Sequence, residues 1–408
     1  MGKRSLQFTV LALLLAVVLL APPPASAGVT VGGYIKMEVQ YSDKITRVAL
    51  GDTGTVFVGV PLDTDKDRDN TQAVLDTRAS RIRAAFDDTV AGIKLSGMIE
   101  GDFFAADGNG LTSNSRHLRL RHAFARADHP SGFFLMAGQY WSLFSEVNVF
   151  ASVPVIGITP LVDNIGPAST LLARQPQLRV GWRSPLGPAM GLLLLEADVE
   201  KSSVGFFTID LGSTSVNETQ GEGQTTPLFV GKASWLHSVF VAEAAIALGN
   251  NTVVLPGGKD ESQGAWGFEA SAQVRITPVT LLAHYVTQKG LGRLLGQTGD
   301  FPTAGVKLAD PTQFENVESQ GFYVGASFAL SPETAITALY GWAKADEDAS
   351  IGFTGTQIEK HQSIHVNIIH KFWKSWQAGL EYQRFNVETF SGVEGDVNFL
   401  HGALWYFF

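Results

Sequence analysis

The chain ends on Asn398-Phe399-Leu400-His401-Gly402-Ala403-Leu404-Trp405-Tyr406-Phe407-Phe408, an alternating stretch that finishes on a bare aromatic residue. Read with a period of two, Leu400, Gly402, Leu404, Tyr406 and Phe408 share one face, and His401, Ala403, Trp405 and Phe407 share the other. So apolar an edge is sticky in water and is rarely left uncovered at a terminus. In a closed transmembrane barrel the same strand pairs with the first one and turns its outer face to lipid. The predicted partner is the strand holding Tyr34 and Lys36, with Leu404, Tyr406 and Phe408 facing lipid and His401 and Trp405 facing inward.

The amino terminus reads as an export signal. Lys3 and Arg4 form a short basic region, Val10 to Leu20 an apolar one, and Ala25-Ser26-Ala27 a small-residue cleavage site. Residues 1–27 are therefore a cleaved signal peptide and 28–408 the barrel domain. Cleavage removes two basic residues and no acid, so the net charge goes from −9 to −11. Cysteine is absent, which excludes disulfides, thiolate metal sites and cysteine nucleophiles. Past the signal, no apolar run reaches the ~18 to 20 residues of a membrane helix. Acidic charge argues against nucleic acid as a partner.

Alternating segments bounded by Gly, Asn, Asp and Pro recur throughout the remainder. The first eight are 31–42, 76–88, 91–104, 116–128, 132–140, 176–184, 190–201 and 227–238. The others are 239–249, 263–276, 279–289, 319–330, 333–345, 359–372, 375–388 and 396–408. The fold class is all-β, an antiparallel transmembrane barrel of about 16 strands, wide enough to enclose water. Short connections are expected at Asp88-Thr89-Val90, Pro130-Ser131, Pro185 to Pro188, Ser331-Pro332 and around Lys374. Long ones are expected at Lys44 to Leu75, Ser202 to Thr226, Asn250 to Ser262 and Gly290 to Glu318. The connection after strand 5, Trp141 to Gln175, is long, apolar and poor in charge. Folded into the lumen it would bury Phe144, Val147, Phe150, Val155 and Ile158; packed outside it would lie at a subunit interface.

Alternation also places the charges. Arg81 and Arg83 lie opposite Ile82, Ala84 and Phe86, with Arg78 just upstream. Lys94, Ser96, Met98, Glu100 and Asp102 share a face against Ile93, Leu95 and Ile99. His117, Arg119 and Arg121 lie opposite Leu118, Leu120 and Phe124, and Gln177, Arg179 and Arg183 opposite Leu178, Val180 and Trp182, with Arg174 ahead of them. A midplane Arg on the lipid face costs roughly 2–4 kcal/mol, so the charged faces are predicted to line the lumen. Arg81, Arg83, Arg119, Arg121, Arg174 and Arg179, with Lys94, would then form a wall that lowers the barrier for anions. Glu100 and Asp102, with Glu196, Asp198 and Glu200, would either pair with these arginines or face them across the pore.

Other chemistry finds little footing. Asp63, Asp65, Asp67 and Asp69 alternate, but the glycine and the terminal glutamate of a calcium loop are missing. His361 and His365 share a strand face near Glu359, where strand alternation argues against a helical metal pair. No Gly-x-Ser-x-Gly places a nucleophile, so no enzyme, metal or cofactor is expected.

Several stretches resemble the DcaP-like family of trimeric outer-membrane porins: Gly32-Gly33-Tyr34-Ile35-Lys36, Glu100-Gly101-Asp102-Phe103-Phe104, Leu118 to Phe124, Ala137 to Ser142, and Arg174-Gln175-Pro176-Gln177. The terminal Phe resembles the recognition signal of bacterial outer-membrane barrels. General porins also narrow their channel with a loop at the place of residues 141–175. The resemblance implies a homotrimer in a Gram-negative outer membrane, in contact with lipid and lipopolysaccharide, that passes small anions such as dicarboxylates or aromatic acids. It favours the same six arginines. Some family members carry a periplasmic helical extension, which is not expected here because the first strand follows Ala27 so closely. Two rival expectations are a specific transporter of hydrophobic compounds, plugged by residues 141–175, and a non-conducting structural or adhesion barrel.

Overall fold

Gly28–Ser42 (β1) and Glu394–Phe407 (β16) pair antiparallel, with Tyr34 opposite Phe407, Lys36 opposite Trp405 and Ser42 opposite Phe399. The two ends of the chain thus close the sheet. The computed structural model describes residues 28–45, 59–104, 117–146, 161–162, 166–202, 207–210, 215–218, 226–255, 259–295, 301–353 and 357–408. The signal segment and the side chains of Val147, Phe150, Val155 and Ile158 lie outside these residues.

From β1 the barrel continues through Arg81–Val90 (β2), Ile93–Asp102 (β3), Arg119–Asp128 (β4), Phe133–Trp141 (β5) and Arg174–Gly187 (β6). Next come Gly191–Glu200 (β7), Leu228–Leu236 (β8), Phe240–Leu255 (β9), Lys259–Ile276 (β10) and Val279–Lys289 (β11). Glu318–Ala329 (β12), Thr334–Ala345 (β13), Ile358–Phe372 (β14) and Trp376–Thr389 (β15) lead to β16. Every neighbour is antiparallel, and the sixteen strands form one closed ladder. Closure pairs the backbone of each strand on both sides, which lipid requires because it offers no hydrogen bonds.

Alternation separates two environments. Leu404, Tyr406 and Phe408 are exposed on the outside of β16, as are Ile35, Met37 and Val39 on β1. His401, Trp405, Lys36 and Glu38 are buried on the inside. The terminal strand therefore has its expected partner and its expected faces.

Several boundaries differ from the alternation reading; at the expected connection Pro185 to Pro188, Pro185 still pairs with Leu192 and Gly187 with Gly191. Gln72–Asp76 is a separate short strand on the upper half of β1, and a turn carrying Arg78 precedes β2. The β2–β3 turn is Ala91-Gly92, with both residues at positive φ, and not Asp88 to Val90, which remain paired in the ladder. Such two-residue turns match the strand twist. The stretch 250–262 is mostly not a loop: β9 and β10 stay in register from Asn250 opposite Gly264 to Leu255 opposite Lys259.

The inner face of β13 is shaped to receive another piece of chain. A Cβ on Gly341 would meet the Ala168 carbonyl oxygen at 2.5 Å, and one on Gly379 of β15 would meet Val162 Cγ2 at 2.6 Å. Gly341→Leu should therefore destabilise the barrel by about 1–3 kcal/mol through overpacking. The outward Gly231→Ala, which meets nothing within 4 Å, should not. The temperature at which the folded, heat-modifiable gel band disappears reads the difference.

Candidate functional site

Tight turns set the register of the charged faces. The turn at Ala91-Gly92 places Arg81 opposite Asp102 and Arg83 opposite Glu100. On the next strand Arg119 grips Asp102 with two bonds, Nε to Oδ1 at 2.9 Å and Nη2 to Oδ2 at 2.7 Å. Arg121 bridges both acids, donating to Glu100 at 2.9 Å and to Asp102 at 2.7 Å. These are short, charge-assisted contacts, and Asp102 is fully buried beneath them. Glu100 and Asp102 thus pair with the arginines beside them.

A bulge makes this arrangement possible. The β3–β4 register shifts between Glu100 and Gly101, so Glu100 faces His122 while Gly101 faces Leu120. An extra residue on one strand bends it and re-aims its side chains. Arg121 and His122 both point inward as a result, and alternation reverses beyond them. Phe124, read from the pattern as lipid-facing, instead lies inside, 4.9 Å from the Tyr140 ring. Arg126 follows it inward, stacked 3.6 Å from the ring of buried Phe134.

Charge is not balanced in this patch. Among the described residues, Arg78, Arg81, Arg83, Arg119, Arg121 and Arg174 stand against Asp76, Glu100 and Asp102, and Arg78 is held by Asp76. Arg81, Arg83 and Arg174 have no carboxylate partner among those residues. Arg81 lies 5.3 Å from the Tyr34 ring centre. Arg174 lies 4.7 Å from the Trp141 ring, which Arg121 also approaches at 5.9 Å. Aromatic faces attract cations without cancelling their charge. Tyr34, His122 and Trp141 carry no signal in the sequence, because an aromatic beside an arginine on another strand leaves no local pattern.

Arg179 belongs to a different group. It contacts Glu196 and Asp198 of β7 at 3.5 Å each, and its Nη2 donates to the Trp141 carbonyl at 2.8 Å. Ser142 donates to Glu200 at 2.6 Å. The β7 acids therefore pair with the neighbouring strand and do not face the arginines of β2–β4. Lys94 is separate as well. It sits at the short-turn end opposite Asp128, whose carboxylate holds Arg126 and Arg183 at 2.9 Å. The structure thus brings together Arg81, Arg83, Arg119, Arg121 and Arg174, and places Arg179 and Lys94 elsewhere.

Described parts of the connection between β5 and β6 touch inward-facing side chains on β1, β8, β12, β14 and β15. Lys36 donates to the Val162 carbonyl at 2.7 Å, while the Val162 amide donates to Glu381. Ser363 accepts from the Ala168 amide at 2.8 Å, and buried Lys232 donates to the Ser145 carbonyl. Leu143, Phe144 and Leu171 pack with Leu228, Val230 and Val286. Glu146, in the same connection, accepts from Tyr323 at 3.2 Å. Burial pushes its carboxyl up to about 8, and the Glu269 carboxylate adds to the rise.

Neither weighed metal motif assembles ligands. Asp63 pairs with Arg68, Asp65 accepts from the Leu62 amide, and His365 Nδ1 lies 2.9 Å from Glu381. Among the described residues no group of three His, Asp or Glu side chains is placed to hold an ion.

Known proteins share the fold. A family model described as Gram-negative porin matches residues 12–389. The outer membrane channel DcaP of Acinetobacter baumannii superposes with a TM-score of 0.71 at 21% identity, covering 95% of this chain and 99% of that one. An anion-selective porin from Comamonas acidovorans gives 0.59 at 12% identity, covering 94% and 100%. OmpT of Vibrio cholerae, in a trimer form, gives 0.54 at 10% identity, covering 94% and 100%. Curated proteins yielded no significant match.

Removing Arg121 would leave buried Glu100 and Asp102 short of partners, which typically costs about 3–5 kcal/mol. Arg121→Ala should lower barrel stability far more than Arg83→Ala, whose side chain is solvent-exposed. Urea-induced unfolding in detergent micelles compares the two variants.

Proposed function

We propose that this chain, which belongs to the Gram-negative porin family and is an integral outer-membrane β-barrel, passes small hydrophilic solutes down their gradient with a preference for anions. The observation that carries the preference is the surplus of arginine on the inner faces of β2, β4 and β6, where Arg81, Arg83 and Arg174 have no carboxylate partner among the described residues. Guanidinium groups in a narrow aqueous path favour anions and resist cations. Arg119 and Arg121, neutralised by Glu100 and Asp102, act as a frame that holds the patch in shape. This divides the work among the arginines. Selectivity rests on the unpaired members and stability on the paired ones.

The connection between β5 and β6 narrows the channel. Its described parts contact Lys232 of β8, Ser363 of β14, Glu381 of β15 and, beside the arginine strands, Lys36 of β1, which supports a connection folded against the inner wall. Carboxylate-bearing solutes such as dicarboxylates or aromatic acids fit the bidentate geometry of arginine. A homotrimer, the form recorded for the Vibrio cholerae neighbour, is the assembly we favour, with residues 1–27 removed on export. Passive diffusion needs no nucleotide or redox cofactor.

Planar-bilayer recording in a salt gradient tests the proposal. Open steps with a reversal potential shifted toward chloride are expected. Arg81→Ala, Arg83→Ala and Arg174→Ala combined should bring that potential close to the non-selective value. A protein without open steps would instead be a structural barrel. Wild-type cation preference, or an unchanged potential in the triple variant, would overturn the assignment.

A further inference from the structure

Trp141 and Arg174 stand at the neck of the connection between β5 and β6. Trp141 is the last residue of β5, Arg174 is the first of β6, and the two lie opposite each other in the ladder. One further backbone bond, from the Ser142 amide to the Ala173 carbonyl at 2.9 Å, closes the neck before the connection leaves the strands. A side chain at this point touches both the arginine group and the base of the connection.

Trp141 is fixed from two directions. Its carbonyl accepts from Gln177 Nε2 at 3.0 Å and from Arg179 Nη2 at 2.8 Å. Arg179 is anchored in turn by Glu196 and Asp198. The indole meets the ring of buried His122 edge-on, with centroids 5.7 Å apart. Arg174 lies 4.7 Å from the indole ring so placed.

The ring offsets a repulsion. The positive charges of Arg121, Arg119 and Arg81 act on Arg174, and Asp102, the acid among them, is already held by Arg119 and Arg121. Like charges this close favour an Arg174 that swings away toward an available carboxylate. Glu200 of β7 offers one. It reaches across β6 to take the Ser142 hydroxyl at 2.6 Å, and its other oxygen makes no hydrogen bond among the described residues. An indole face attracts a guanidinium better than other aromatic rings do and leaves its charge intact.

We propose that Trp141 is a positioning residue for anion preference: its ring holds Arg174 within the arginine group and keeps it from pairing with Glu200. The inference rests on the anion-preferring channel proposed above. It also gives Arg179 a part, since a guanidinium bound to Glu196 and Asp198 still steadies the selective group through the Trp141 carbonyl. Without the ring, Arg174 pairs with Glu200, and the lumen loses one uncompensated positive charge although no arginine has been removed.

Reversal potentials of single channels in a salt gradient test this. Trp141→Leu should shift the potential toward the non-selective value as far as Arg174→Ala does. The two changes combined should shift it no further than Arg174→Ala alone, because both act on one charge. Trp141→Phe keeps a ring and should stay closer to wild type than Trp141→Leu. Adding Glu200→Gln to Trp141→Leu weakens the competing partner and should recover most of the shift, which loss of packing alone would not allow. Heat-modifiable migration certifies that each variant is folded. If Trp141→Leu does not fold, Trp141→Met, longer and also without a ring, takes its place. An unmoved potential in the folded ringless variant, a further shift in the combined variant, or no recovery with Glu200→Gln would overturn the proposal. A wild-type channel without anion preference would overturn the reading beneath it as well, so the two failures are told apart.

Discussion

The ladder between β1 and β16 is the constraint on which the remaining structure depends. A strand edge in hydrocarbon leaves amides and carbonyls unpaired, and each would cost several kcal/mol. Pairing Tyr34 through Ser42 with Phe407 through Phe399 removes that edge. Once the sheet is closed, every residue has only two environments available. Ile35, Met37, Leu404 and Tyr406 meet lipid, and Lys36, Glu38, His401 and Trp405 must find partners inside. The interior charges are thus not incidental. They are the groups that an apolar outer face forces inward on alternate positions.

Confinement then decides how those charges are used. Asp102 is buried and holds Arg119 and Arg121 together, while Arg81 and Arg174 rest on aromatic rings. A paired guanidinium contributes rigidity but little net field, whereas one beside Tyr34 or Trp141 keeps its charge. Bidentate pairing on one strand and aromatic stacking on its neighbours therefore allow one patch to be both stable and positive. On β1 and β15, Lys36 and Glu381 hold the two backbone groups of Val162, in the connection between β5 and β6.

Strand identity was legible because a period of two survives on a closed barrel, where one face always meets lipid. All sixteen strands lie within a few residues of their alternating segments, and the β1–β16 closure follows from Tyr34 and the terminal aromatics. What alternation could not carry was anything that breaks it. The bulge at Arg121 inverts Phe124, and no residue in Leu118 to Asp128 announces the extra position. The register that sets Arg83 opposite Glu100 depends on the Ala91-Gly92 turn, so a turn placed three residues early conceals it. Arg179 and Lys94 share the inward sense of the other cations but sit beside different acids. Side-by-side position around a barrel is a long-range property, absent from any single strand.

Whether the arginine face borders moving water is tested most directly by thiol modification, since the native chain has no cysteine to interfere. Arg83→Cys and Ile82→Cys place a thiol on adjacent residues of β2 that face opposite ways. A membrane-impermeant, negatively charged thiosulfonate applied during single-channel recording should react with the cysteine at position 83 and reduce both conductance and anion preference. The cysteine at position 82 should remain unreactive. Equal reactivity at both positions, or modification at 83 without any change in current, would contradict an arginine-lined aqueous path.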